Sequence, residues 1–191
     1  MPGLNIAVAD KGKLIWEAAG LTGNVIPMPV MGHGMTYVMS GFQGYSIQAI
    51  KLSSRGDVSG TDNIVWSVRR GAPYVPSPIL SGDRLYMSKG NDAFLSCLNA
   101  QTGETIYQDQ RLEGLRGIYA SPLAANGYLY VVGREGMVMV LKDAATFEAK
   151  RGATPFTDKP VAIQSLAPEL TGLTGVRVVL LAGRIAERIE R

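Results

Sequence analysis

Pro78-Ile79-Leu80-Ser81-Gly82-Asp83-Arg84-Leu85-Tyr86 is the stretch on which the fold turns. It is a proline, a short apolar run, a Gly-bearing turn and a Tyr on a second apolar run. The same order occurs at Pro29…Gly34-Met35-Thr36-Tyr37 and at Pro122…Gly127-Tyr128-Leu129-Tyr130. Pro29 to Pro78 is 49 residues and Pro78 to Pro122 is 44, and Tyr37, Tyr86 and Tyr130 keep the same two spacings. A period of about 40–50 residues with several short strands per unit predicts a β-propeller or a related array.

Outward from that stretch, the middle unit reads as four strands. Val75 to Leu80 is a short first strand, with prolines at its start where a missing N–H is tolerated. Ser81-Gly82-Asp83 is a hairpin turn and Leu85-Tyr86-Met87 the second strand. Phe94 to Leu98 is the third. Asn99 to Glu104 is a polar turn, with Gly103 where a positive φ is expected. Thr105 to Gln108 is the fourth. Four antiparallel strands make one propeller blade. The expected blades are 27–67, 76–109 and 119–150. Met137-Val138-Met139-Val140-Leu141 is apolar without alternation, as a strand covered on both faces should be. The first unit carries an insertion, Ser53 to Asp62, which accounts for the longer spacing.

The ends are weaker. Asn5 to Ala9, a turn at Asp10 to Lys13, and Leu14-Ile15-Trp16 match only the last two strands of a unit. The repeat is lost after Glu148. Pro168 and the run Gly175 to Leu181 would fit a degenerate partial blade, and Arg184 to Arg191 is spaced like a short helix. The reading is therefore blades over 1–150 and an irregular or partly helical tail over 151–191, in an open arc of three blades and half-blades.

Composition excludes several classes. Charged residues are 18% and Gly is 23 of 191, which favours short strands and turns over long solvated helices. Net charge is +3 with no Lys/Arg stripe, so no nucleic-acid surface is expected. Met1 to Leu4 does not begin a signal peptide, and no apolar run is long enough to span a bilayer. The single cysteine, Cys97, forbids an internal disulfide and reads as a buried strand residue.

The phrases Leu98-Asn99-Ala100-Gln101-Thr102-Gly103-Glu104, Asp10-Lys11-Gly12-Lys13-Leu14-Ile15-Trp16 and Ser77 to Tyr86 resemble PQQ-like β-propeller repeats over about residues 4–148. That superfamily holds quinoprotein alcohol dehydrogenases, the propeller lipoprotein of the bacterial outer-membrane barrel-assembly machinery and many secreted bacterial proteins. The resemblance implies a periplasmic or secreted setting. It would also allow PQQ and Ca²⁺ as ligands, although the adjacent cysteine pair of many PQQ dehydrogenases is absent.

No catalytic constellation is present. His33 reads as a hairpin-turn residue, and as the only histidine it supports no usual zinc site. Asp57, Asp62 and Asn63 in the insertion match no calcium loop, and Arg55-Gly56-Asp57 is read as a surface turn. Arg69, Arg70 and Arg116 read as solvated charges. Trp16, Trp66 and Tyr107 recur on the fourth strand, where the resemblance implies that this aromatic docks neighbouring blades. Pro29, Pro78, Pro122, Tyr37, Tyr86, Tyr130 and Gly103 complete the repeat positions, and the tyrosine hydroxyls are expected to seek partners at the blade edge. Two functions follow: a non-catalytic propeller scaffold for an unknown protein partner, with open edges that permit self-association, or a fragment of a PQQ-dependent dehydrogenase.

Overall fold

The computed structural model describes residues 4–155. The expected partial blade and helix beyond these lie outside the described residues. Within them the chain is all β. The half-unit strands are β1 (Leu4–Asp10) and β2 (Lys13–Leu21). The first blade is β3 (Val30–Gly32), β4 (Met35–Ser40), β5 (Ser46–Lys51) and β7 (Ile64–Val68), with β6 (Gly56–Asp57) inside the insertion. The second is β8 (Ile79–Ser81), β9 (Arg84–Lys89), β10 (Asp92–Asn99) and β11 (Thr105–Arg111). The third is β12 (Leu123–Ala125), β13 (Tyr128–Val132), β14 (Met137–Lys142) and β15 (Ala149–Pro155). Each of these three is a four-stranded antiparallel sheet in chain order.

The turns follow from local chemistry. His33-Gly34 and Asn126-Gly127 hold positive φ at both positions, the geometry that lets a two-residue hairpin match strand twist. In the third sheet the fourth strand starts where the repeat phrase ends. Val140 lies opposite Arg151, as Ala49 lies opposite Trp66 and Cys97 opposite Tyr107. The sequence hides β15 because a charged residue stands in the register position of the aromatic.

The core lies between sheets rather than within any one of them. One cluster joins the first and second blades through Tyr37, Met39, Ile47, Ala49, Leu85 and Met87. A second joins the second and third through Tyr86, Leu95, Cys97, Leu129, Met139 and Leu141. A third joins the half-unit to the first blade through Trp16, Leu21, Val38, Ile50 and Val58. Strands sandwiched in this way are buried on both faces, which is why all six residues of β4 are buried. The short first strands meet: β3 packs beside β8, and β8 beside β12. They form the inner side of the arc, with the fourth strands outside.

The half-unit gains a strand that its own sequence does not supply. The insertion returns and β6 pairs with β2 in parallel, Trp16 opposite Gly56 and Glu17 opposite Asp57. Val58 N–H donates to the Glu17 carbonyl at 2.9 Å, and Ala19 N–H to Ser59 Oγ at 2.9 Å. The outer edge of β2 is thereby covered.

Candidate functional site

The strands alternate in direction, so each blade sends its loops to two rims. One rim carries the turns between first and second and between third and fourth strands. The other carries the turns between second and third strands and the loops joining successive blades.

On the first rim the repeat aromatics meet the next blade. Trp66 Nε1 donates to the Ala100 carbonyl at 2.9 Å, and its ring lies on Gly103, where a Cβ would come within 2.7 Å of Trp66 Cδ2. Gly103 thus serves twice, by its φ of 75° and by its missing side chain. The smaller Tyr107 meets a larger partner, with the Phe147 ring edge-on at 5.8 Å. Trp16 is buried beside Val58 of the insertion. His33 sits in its turn at φ 53°, with Nε2 3.0 Å from the Gly82 carbonyl and 3.4 Å from Asp83 Oδ1.

The three repeat tyrosines occupy one register position, opposite Val30, Ile79 and Leu123, but their hydroxyls fare differently. Tyr86 donates to Asp143 Oδ1 at 2.6 Å, and Arg84 Nε reaches both groups at 2.8 Å. Ser81 Oγ donates to Asp143 Oδ2. Burial acts against the Asp143 carboxylate, but the bonds from Arg84, Ser81 and Tyr86 outweigh it and hold the carboxyl below its usual range. Burial, reinforced by Asp143, pushes the Tyr86 hydroxyl upward. Asp143, Ala100 and Leu52 are equivalent, each N–H donating to the adjacent hairpin turn at Gly127, Asp83 and Gly34. Tyr37 therefore finds Ala100 in its cluster where Tyr86 finds Asp143, and its buried hydroxyl has no hydrogen-bond partner among the described residues. Sequence reasoning missed this knot, although Arg84 two residues before Tyr86 was a visible signal.

The repeat prolines mark a second ladder, on the inner side. Met28 N–H donates to Ser77 Oγ and Ser77 N–H to Ser121 Oγ, each at 2.9 Å. These residues immediately precede Pro29, Pro78 and Pro122. Two Ser-Pro pairs were legible in the sequence, but not the inter-blade bond they make.

In the insertion the polar side chains bond to neighbouring residues. Arg55 Nη1 donates to the Ser53 and Ser54 carbonyls, and Asp57 Oδ1 accepts from Ser59 N–H at 2.9 Å and Ser59 Oγ at 2.6 Å. Gly56 and Asp57 belong to β6, so the tripeptide is a clasp strand rather than a free surface turn. Among the described residues no group of three His, Cys, Asp or Glu side chains converges. Arg69 and Arg70 are exposed yet engaged, by the Gly20 carbonyl at 2.8 Å and Thr105 Oγ1 at 3.0 Å, while Arg116 is exposed. Cys97 is buried, and burial pushes its thiol up to about 12, which removes it as a nucleophile at neutral pH.

The second rim carries one group of the exposed apolar side chains; Leu14, Leu52, Val65 and Met31 are exposed elsewhere. The loop from β2 to β3 presents Val25, Ile26 and Met28, the last 71% exposed. It is fastened by Thr22 N–H to Ser40 Oγ at 2.8 Å and by Asn24 Nδ2 to Tyr74 Oη at 3.0 Å. Tyr74 stacks on half-exposed Phe42 with centroids 4.9 Å apart. Farther along, Tyr119 lies under the Arg134 guanidinium at 4.8 Å. Val25, Ile26, Met28 and Phe42 thus present exposed apolar side chains fastened to the framework, suited to protein contact. The innermost strands, Val30–Gly32, Ile79–Ser81 and Leu123–Ala125, contain no charged residue.

A family model described as outer membrane protein assembly factor BamB matches residues 3–169. The chain belongs to this family of PQQ-like β-propellers. No curated protein matches it. Among solved structures it resembles BamB from Moraxella catarrhalis, at 16% identity and a TM-score of 0.52, over 75% of this chain and 40% of that one. It also resembles the quinohemoprotein alcohol dehydrogenase ADHIIG from Pseudomonas putida HK5, at 15% identity and 0.52, over 78% of this chain and 22% of that one. At these identities the likeness shows the fold alone. The chain spans two fifths or less of both structures. Among the described residues no helix is long and apolar enough to cross a membrane.

Proposed function

We propose that this family member is a non-catalytic propeller module that docks another protein on its second rim, in the manner of an envelope assembly factor. The observation that carries the reading is the exposed set Val25, Ile26, Met28 and Phe42, fastened to the framework by Ser77, Ser40 and Tyr74. A loop held in this way loses little entropy on binding, so the apolar area it offers is available for affinity. The family match supports a periplasmic or outer-membrane-associated setting, and the sheet edges outside the arc would let copies associate.

A photo-crosslinking residue at Met28, compared with one at exposed Lys51 near the opposite rim, tests the reading in bacterial periplasm. The expected result is a discrete protein adduct at Met28 only, lost on Ile26→Glu. Equal labelling at both positions would remove the rim as the docking face. Tight uptake of PQQ with Ca²⁺, followed by alcohol-dependent dye reduction, would establish the dehydrogenase-fragment reading instead.

A further inference from the structure

The whole chain holds six asparagines, and only Asn126 is followed by glycine. Ile6, Val25, Ile64, Asp92 and Ala100 follow the others, and each carries a side chain beside its own backbone nitrogen. Four of those asparagines are also tied. Asn24 Nδ2 donates to Tyr74 Oη and Asn63 Nδ2 to Thr61 Oγ1, while Asn91 and Asn99 accept from the Val75 and Gln101 N–H groups. Asn126 is exposed, and its carboxamide makes no hydrogen bond among the described residues. A Cβ placed on Gly127 would meet nothing within 4 Å, so the space over the turn is open. The pair stands here for a structural reason. Ala125 lies opposite Tyr128, and the two residues between them need positive φ, which Asn126 holds at 51° and Gly127 at 77°. The equivalent turns of the other blades, His33-Gly34 and Gly82-Asp83, contain no asparagine.

We propose that Asn126 is a site of spontaneous covalent modification that loosens the seam between the second and third blades. The Gly127 nitrogen gives up its proton and attacks Asn126 Cγ. The new C–N bond closes a succinimide, the Cγ–Nδ2 bond breaks, and the nitrogen leaves as ammonia. Solvent water then opens the ring. Attack at the main-chain carbonyl leaves isoaspartate, and attack at Cγ leaves aspartate. In isoaspartate the backbone runs through Cγ, so one methylene enters a turn that has room for two residues only. The damage falls on a particular bond. The Gly127 carbonyl accepts the Asp143 N–H at 2.8 Å, and Asp143 in turn holds Tyr86, Arg84 and Ser81 of the second blade. The closed turn keeps Asn126 in the left-handed conformation, so ring closure proceeds when the hairpin opens locally. The proposal is independent of what docks on the second rim.

The test ages the purified full chain at mildly alkaline pH and maps isoaspartate by peptide mass and by enzymatic methylation of isoaspartyl carboxyls. The expected result is label at Asn126, with Asn99 and Asn63 unlabelled. Hydrogen exchange at the Asp143 amide should quicken by roughly tenfold or more in the labelled fraction, as its acceptor is lost. Asn126→Gly keeps a residue that accepts positive φ and removes the carboxamide. This variant should stay unlabelled and keep its Asp143 exchange rate on ageing. A folded chain that stays unlabelled at Asn126, whether or not the urea-unfolded chain is labelled, would overturn the proposal. So would equal label at Asn99, or label at Asn126 with Asp143 exchange unchanged. Quickened Asp143 exchange in the aged Asn126→Gly chain would assign the loosening to another reaction and also overturn it.

Discussion

At the scale of single residues, the structure turns two equivalent tyrosines into a controlled pair. Tyr86 spends its hydroxyl on Asp143, whereas the Tyr37 hydroxyl is buried without a partner among the described residues. Removing a satisfied buried hydroxyl loses about 1 kcal/mol or more, and removing an unsatisfied one relieves a desolvation cost. Tyr86→Phe is therefore expected to destabilise the fold, and Tyr37→Phe to be neutral or stabilising, in urea midpoints measured side by side. Asp143 itself carries a pH signature. Its carboxyl is held below the usual value, so its contribution is present above the unfolded-state pKa and disappears as pH falls through the folded one. Asp143→Asn should cost about 1–3 kcal/mol near neutral pH, less than a deeply buried pair because Arg84 is partly solvated. The gap between wild type and variant should close as pH drops below about 4. A gap unchanged with pH would show that the charge on Asp143 is immaterial.

At the scale of elements, the repeat decided most of what was legible. Pro29, Pro78 and Pro122 open first strands, and the Tyr and Trp positions share one register across the sheets, because a blade's period is imposed by the need to cover both faces. Less legible were elements made by departure from the repeat. Arg151 replaced the aromatic that would have announced β15, and β6 is two residues of a Gly-rich insertion with no strand pattern. Contacts between blades, such as Ser77 to Ser121, have no periodic signal beyond a shared Ser-Pro pair. The aromatic and turn positions can be ranked by what they touch. Trp66 fills the space over Gly103 and bonds the next blade, whereas His33 lies at an exposed turn. Trp66→Ala is expected to cost about 3–5 kcal/mol and His33→Ala well under 1. Equal shifts of the denaturant midpoint would give the His33 contact to Gly82 a weight that its exposure argues against.

At the scale of the whole molecule, stability among the described residues is distributed over three seams. The half-unit meets the first blade through Trp16, the first meets the second through Trp66, and the second meets the third through Tyr86, Tyr107 and Asp143. No buried residue belongs to more than one of these clusters. In an array of this kind stability is a sum of unit terms and nearest-neighbour interface terms, so perturbations at separate seams should add. Trp16→Phe with Asp143→Asn is expected to be additive within about 0.5 kcal/mol, since the sites share no partner. Tyr86→Phe with Asp143→Asn should be less destabilising than the sum, by roughly 0.5–2 kcal/mol, because both remove the same hydrogen bond. A double-mutant cycle on equilibrium unfolding separates the two cases. Strong coupling between Trp16 and Asp143 would mean that the half-unit and the third blade communicate, which requires a closed ring or a rigid shared frame in place of independent seams.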